Sequence, residues 1–526
     1  MSKRTIQLSQ KALDITGSNL SNSKVEGYTR QTVDIGASYL NKFAYWQTST
    51  SRMALAGQGA IGIGVDQVRD PYIDKRYRES TPAVAEYSTK ADVLKEVETV
   101  IDNITTEGIT ASLDTFKKAL SSYASQPDSE ELASIVRNSA FNLTNLLHSY
   151  HADLQDLRET NLESLDASIE DTNNIIERIV NYNKSIVKEY AAMAVGKYGE
   201  GESVTGGYGP NEMLDERNLL LDELSYKGSI TVHDNADGSV RVIMDGVEII
   251  NGEKYEKLYM KGSTKIDGEF SSELLRNYAA YDAAVLRWTS GDEAKFSSGE
   301  LKAYVDVLNG NGPYATGYQN DSYGIPYYES AIDAFANTFG NYMNQFNGAV
   351  NEEGVLVDPD RLLFCTREYN EGEASYEDVD MTVTNIRIAD SWMQNATMIG
   401  EERDAKGMWK LSLDGNHINQ IMEQINTKSL EFGGRGDYEG TVYDYLLFIS
   451  NRIGQNIDFN QSRYEASYAT ANALLDSRDA ISGVSETEEG INMLTYQNWY
   501  NASARLMTAL DDALDRLINN TGRVGL

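Results

Sequence analysis

Apolar and polar positions along this chain recur with two different periods, and the most regular stretch comes last. From Glu489 to Asn519, the residues Met493, Tyr496, Tyr500, Met507, Leu510, Leu514 and Leu517 follow alternating three- and four-residue steps, interrupted only by Ser503. That spacing keeps one helical face apolar over about seven turns, and strict alternation is the seam pattern of a coiled coil. Asn492, Gln497, Asn498, Asn501, Arg505, Asp511, Asp512 and Asp515 make the opposite face polar, and no proline follows Pro359. At the other end Ile6, Leu13 and Leu20 recur every seven residues. Two apolar stripes at opposite termini predict that the ends meet each other, a partner, or both.

Between these stripes the helical period dominates. Residues 5–22 read as a helix, followed by a turn at Gly27 and an extended segment. From Pro71 to Gly196 the pattern is helical, with Val93, Val97, Val100, Ile101 and Ile104 on one stripe and Leu113, Phe116, Leu120 and Tyr123 on another. Asp128, with Glu131 three residues on, reads as a capping box. Neither glycine nor proline occurs from Asp128 to Val195, so one helix there would be roughly 100 Å long at about 1.5 Å per residue. A glycine-bearing loop at 199–210 and a helix over 212–224 follow. The period then changes to two at 230–233 and 240–244, predicting a β-hairpin, with a further strand at 247–250. Helices return at 300–309 and 327–347, joined by a loop over 310–326. Residues 351–430 mix strand-like runs with a short helix near 416–426, and a last helical section runs from 441 to 519 with a joint at 483–490.

The predicted fold class is multidomain and mainly α, with inserted β-rich domains, paired N- and C-terminal helices and a trunk of long helices. Its expected divisions are a terminal assembly region (1–55 with 490–526) and a helical trunk (56–225, 298–350 and 436–489). A small β-rich domain (226–297) and a second β-rich outer region (351–435) complete it. A chain of 526 residues exceeds what one core usually organises.

Charge and chemistry narrow the function. Eighty acidic residues against 46 basic ones leave a formal charge of −34, which disfavours nucleic acid and anionic membrane surfaces as partners. No apolar run reaches the ~18 residues of a membrane span, and the start of the chain is too polar for a secretory signal. The lone Cys365 rules out an internal disulfide framework. His148 and His151 are three residues apart but lack an accompanying metal-site pattern, and read as solvent-facing. The glycine stretch 56–65 has no Lys-Ser/Thr after it to hold phosphate. The Asp234–Gly238 turn lacks calcium-ligand spacing. No Gly-x-Ser-x-Gly elbow occurs, and Cys365 reads as a buried small hydrophobe. A carboxylate pair for glycoside hydrolysis has no spacing that selects it. The 33 tyrosines suit subunit interfaces as well as a sugar cleft. No catalytic residue, metal ligand or cofactor is therefore assigned.

The two ends together resemble the axial proteins of the bacterial flagellum. Ala12 to Asn22, then Gly27-Tyr28-Thr29-Arg30-Gln31, is similar to the N-terminal signature of rod, hook and hook-associated proteins. Glu488 to Leu494, then Tyr496 to Arg505, is similar to the C-terminal one. Ser112 to Phe116, Asp215 to Ser225, the hairpin around Asp237-Gly238-Ser239-Val240, and Ile325 to Tyr328 resemble the hook-associated members that join hook to filament. The family carries a further hydrophobic, glycine-containing stretch before the equivalent of Gln10, which is missing here.

This resemblance implies a structural protein without cofactor or reaction, whose paired terminal helices lie in the inner tube of the flagellum. Its implied partners are further copies of itself in a ring, the hook protein, the next hook-associated protein towards the filament, and a flagellar export chaperone that holds the C-terminal helix. It also implies an extracellular location reached through type III export without a cleaved signal. The residues it singles out are Leu13, Asn19, Leu20, Asn22, Gly27, Tyr28 and Arg30, with the C-terminal stripe Met493 to Leu517. Alternative readings are a hook or rod protein, an acidic extracellular glycan-binding adhesin, and a glycosidase. The seams have no partner in a monomer, so the termini are expected to be disordered in isolation.

Overall fold

The computed structural model describes residues 2–37, 60–102, 108–196, 208–260, 283–351, 355–366, 381–404, 407–427, 429–433 and 438–520. Residues 56–59 of the glycine stretch, 197–207 of the expected loop, and 261–282 and 367–380 of the expected β-rich regions lie outside them. Helix α1 (Ser2–Ser21) leads into strands β1 (Gln31–Ala37) and β2 (Ala60–Gln67). Helices α2 (Pro71–Asp102), α3 (Ile109–Ser125), α4 (Glu130–Gly196) and α5 (Asn211–Lys227) follow. Next come β3 (Ile230–Asp234), β4 (Val240–Met244), β5 (Val247–Asn251), β6 (Lys254–Tyr255), β7 (Leu258–Met260) and β8 (Leu286–Trp288). Helices α6 (Glu300–Asn309) and α7 (Ile325–Phe346) precede the two-residue strands β9 (Phe364–Cys365) and β10 (Arg387–Ile388). The short α8 (Asp390–Gln394), β11 (Glu401–Arg403), β12 (Trp409–Leu411), α9 (Asn416–Thr427), β13 (Leu430–Phe432) and β14 (Tyr438–Gly440) come next. Two long helices, α10 (Val442–Ser482) and α11 (Glu486–Asn520), end the described chain.

These elements form two compact units, one of residues 1–84, 170–258 and 466–526, the other of 85–169 and 259–465. In the first, β1 and β2 pair antiparallel from Gln31↔Gln67 to Ala37↔Ala60, with a bulge between Asp34 and Ile35. The predicted hairpin is present as β3 and β4, extended to a four-stranded antiparallel sheet in the order β3-β4-β5-β6. Alternate residues Val240, Val242 and Met244 of β4 are buried, as a half-covered strand requires. Asn183 pins this sheet to α4. Its Nδ2 donates to Gly252 O at 3.0 Å, and its Oδ1 accepts from Val240 N at 3.2 Å.

The second unit has one large core, to which α3 gives Leu113, Phe116, Leu120 and Tyr123, α7 gives Tyr328, Phe335 and Phe339, and α10 gives Tyr445, Ile449 and Ile453. Both predicted stripes of 93–123 are therefore buried, Val100 partly, while Ile104 lies outside the described residues. The described residues of 351–435 do not form a separate β-rich body. Its strands are two or three residues long, and Phe364, Ile386, Trp392, Ile418, Ile421 and Phe432 belong to this same core. Strands so short bury too little to hold a sheet alone and depend on packing against helices. Gly310 and Gly324 close the loop before α7: a Cβ on Gly310 would lie 2.6 Å from Ser322 O, and one on Gly324 would collide with Val307 O.

Two other details differ from expectation. The cap of α4 is Ser129, whose Oγ accepts from Leu132 N at 3.3 Å, in place of Asp128. His148 is not solvent-facing but half-buried, and its Nε2 donates to Ile386 O at 2.9 Å. Among the described residues no helix is long and apolar enough to cross a membrane.

Candidate assembly site

The ends of the chain do meet. Helix α11 packs along α1 and runs the opposite way, because Glu489 at its start lies against Asn19 near the end of α1. The two terminal helices thus pack against each other over the length that α1 covers. The face that α1 turns inward is not Ile6, Leu13 and Leu20. Leu8, Ala12, Ile15 and Asn19 are buried, while Leu13 and Ile6 are half-buried and Leu20 is exposed. The steps from 8 to 19 follow the helical three-four pattern, whereas the seven-residue repeat marks a neighbouring, more open face.

The polar knot at the closed end of this pair ties together Asn19, Tyr28 and Arg30 of the N-terminal motif. Asn19 Nδ2 donates to Gln31 O at 2.9 Å and to Glu489 Oε2 at 3.2 Å, while its Oδ1 accepts from Tyr28 O–H at 2.9 Å and Gln31 N at 3.0 Å. Arg30 donates from Nε to Glu489 Oε1 and from Nη1 to Glu488 Oε2, each at 2.8 Å. The Arg30 backbone N–H reaches Ser482 O at 2.9 Å, bridging the break between α10 and α11. Glu489 is only 2% exposed, so both its oxygens need the donors they have. Asn22 makes a looser contact, Nδ2 to Ser18 Oγ at 3.3 Å. Gly27 has φ +77° and sits over Leu219, whose Cβ would be 3.6 Å from a new Cβ. Space is adequate there but the backbone is left-handed, so Gly27→Ala lowers stability by about 1 kcal/mol in urea unfolding.

Below the knot, Asp215 of α5 accepts from Thr29 N at 3.2 Å and Gln67 Nε2 at 2.8 Å. Burial pushes its carboxyl up to about 6, against the pull of those donors and of Arg69. Its folded value lies above the unfolded one, so the folded state holds the extra proton between about 4 and 6. The stability this group contributes is full below about 4 and is lost as pH rises through about 6. Asp215→Asn should flatten the pH dependence of unfolding over that window by about 2 kcal/mol, measured as urea midpoints at pH 4 to 7 against the unchanged chain.

Along α11 the predicted stripe divides. Met493, Tyr496 and Tyr500 are half-buried against α1, and Ser503, which interrupts the stripe, is itself buried. Met507, Leu510, Leu514 and Leu517 are exposed, rising from 40% to 65%. The register explains the change. Counting from the Asn19–Glu489 contact, α1 extends back to Ser2 and so runs out opposite about residue 506. Past that point the same face continues beyond the end of α1, with Met507, Leu510 and Leu514 exposed.

Glu489, Gln31 and Asp215 fall inside the signature stretches, but sequence reading did not single them out as parts of this site. Glu489 lies inside the C-terminal signature as an ordinary acidic residue of a first helical turn, and its partner Asn19 is 470 positions away.

Residues 94–354 match the family described as flagellar hook-associated protein FlgK helical domain. Flagellar hook-associated protein 1 of Bacillus subtilis is 26% identical, over 99% of this chain and 97% of that protein. The proteins of that name from Salmonella typhimurium and Escherichia coli are 20% and 19% identical, each over 98% of both chains. The flagellar hook junction protein FlgK from Burkholderia pseudomallei superposes with a TM-score of 0.54 at 11% identity, covering 78% of this chain and 100% of that one. This last likeness concerns the fold.

Proposed function

The chain belongs to the flagellar hook-associated protein 1 family, and from that membership we propose that it joins hook to filament through its paired terminal helices. Its role is structural, at the hook–filament junction of the bacterial flagellum. Identical copies form a ring, and the exposed end of the α11 stripe is the surface on which neighbouring terminal helices close. The hook protein lies on one side of the ring and the next hook-associated protein on the other. Before assembly the same stripe is held by an export chaperone, and the chain leaves the cell unfolded through the flagellar type III route. Residues 1–55 with 490–526 form the assembly part. Residues 56–225, 298–350 and 436–489 form the trunk, with 351–435 packed into its core, and 226–297 form a small β-rich part.

One observation carries this reading. A coiled-coil face is covered by α1 along its first half and exposed along its second, from Met507 to Leu514. An apolar stripe of this size left in water is unfavourable for a monomer and suits a polymer interface. Immunogold electron microscopy of intact flagella tests it: label confined to the distal end of the hook supports the reading. Label along the hook or in the rod assigns the chain elsewhere in the flagellum.

A further inference from the structure

We propose that a cavity of about 250 Å³ between α2, α5 and β3 binds a small oxoanion. It lies in the first unit, no residue of a terminal helix lines it, and it does not depend on the assembly reading. Four cationic side chains line it, Arg69, Lys75, Arg78 and Arg217, with the acidic Asp74 and Asp234.

Two of these cations are answered at short range. Arg69 forks onto Asp74 at 2.5 and 3.1 Å, and Arg78 Nε donates to Asp222 at 2.7 Å. Arg217 is different. It is 5% exposed, and only its Nη1 is used, donating to Asn183 Oδ1 at 3.0 Å and Gly238 O at 2.7 Å. Both acceptors are neutral. Nε is buried without an acceptor, and among the described residues no carboxylate bonds this guanidinium. Asp234 acts on it only through its charge, and burial pushes Arg217 down to about 10.

A buried guanidinium without a carboxylate is costly, because desolvation of the charge is not offset by an ion pair. Pinning the β3–β4 turn to α4 explains Nη1 but not the remaining donors. Lys75 at the same cavity is mostly exposed, and its nearest carboxylate, Glu79, is 3.8 Å away and exposed as well, so that pair holds it weakly. An oxoanion in the cavity would take charge-assisted hydrogen bonds from Arg217 with Lys75 at the rim. Phosphate or a short dicarboxylate fits this volume with a few waters. A chain carrying −34 repels anions at long range, so the site works only through close contacts and weakens in salt.

The test is calorimetric titration of the full chain with inorganic phosphate and, separately, succinate, at constant ionic strength. At least one binds saturably and raises the unfolding temperature by about 2–4 °C at saturation. Lys75→Gln leaves the unliganded unfolding temperature unchanged and weakens binding about fivefold. Arg217→Lys, which keeps charge but loses the fork, weakens it about tenfold. Binding by phosphate alone identifies a tetrahedral ligand, and by succinate alone a carboxylate. No saturable binding of either, or affinity unchanged in both variants, overturns the proposal.

Discussion

Cells whose only copy carries Leu510→Asp and Leu514→Asp together should make hooks but lose their filaments. Both leucines are half or more exposed in the chain, so little native packing is removed. The helical content and unfolding temperature of the purified variant should therefore stay close to those of the unchanged chain. Between subunits the effect is large. Burying a leucine is worth about 1.5–3 kcal/mol, and an aspartate in its place adds the cost of desolvating a charge. Two such changes lower association by about a hundredfold or more. Asp512→Ala, on the polar side of the same helix, serves as the control and should leave filaments attached. Electron microscopy of the cells reads the result, and normal filaments on the double variant would show that the bare stripe is not an assembly surface. Retention of the variant inside the cell, with filaments likewise lost, would place the defect at chaperone capture before export.

Arg30→Ala should loosen the terminal helices while leaving the second unit intact. Removing this guanidinium leaves Glu488 in water, where it loses little, but leaves the buried Glu489 carboxylate with Asn19 as its one side-chain donor among the described residues. Breaking one side of a buried ion pair costs about 3 kcal/mol. Because the Arg30 backbone also bridges the α10–α11 break, the loss concentrates there. Amides of α1 and of residues 486–503 should exchange about a hundredfold faster, and protease should cut within Gly483 to Ser503. Arg30→Lys recovers part of this, since one ammonium cannot reproduce the fork to Glu489 and Glu488. Exchange in α1 identical to that of the unchanged chain would mean that Asn19 and the apolar seam suffice.

Much of the architecture was legible from local rules. Helix α4 runs unbroken because nothing from Asp128 to Val195 breaks a helix, and the predicted hairpin appears because Asp237-Gly238 supplies a turn between two alternating strands. Gly238 takes φ +89° there, packed over the Tyr190 ring. The region 351–435 resisted the same treatment, since its apolar residues follow neither period for long. They are placed by contact with α3, α7 and α10, which no local pattern records. The choice of face on α1 failed for a related reason. Leu8, Ala12 and Ile15 include a small residue that hydrophobicity alone ranks low, yet a small side chain suits the close approach of two helices.

The sequence by itself determined that both ends are helical, that the last helix carries a continuous apolar face, and that the chain resembles flagellar axial proteins. Periodicity and signature residues are local properties, and each survives without knowledge of its neighbours. Only the tertiary structure decided where that face finds a partner. The contact of Asn19 with Glu489 sets the register of α1 on α11, and the register determines that cover ends near residue 506. What began as one uniform stripe is thereby two surfaces: Met493 to Ser503, half-buried or buried within the chain, and Met507 to Leu517, exposed. The same is true of Arg217. In sequence it is one charge in a charged helix, and only its burial beside neutral acceptors makes it a candidate for binding an anion.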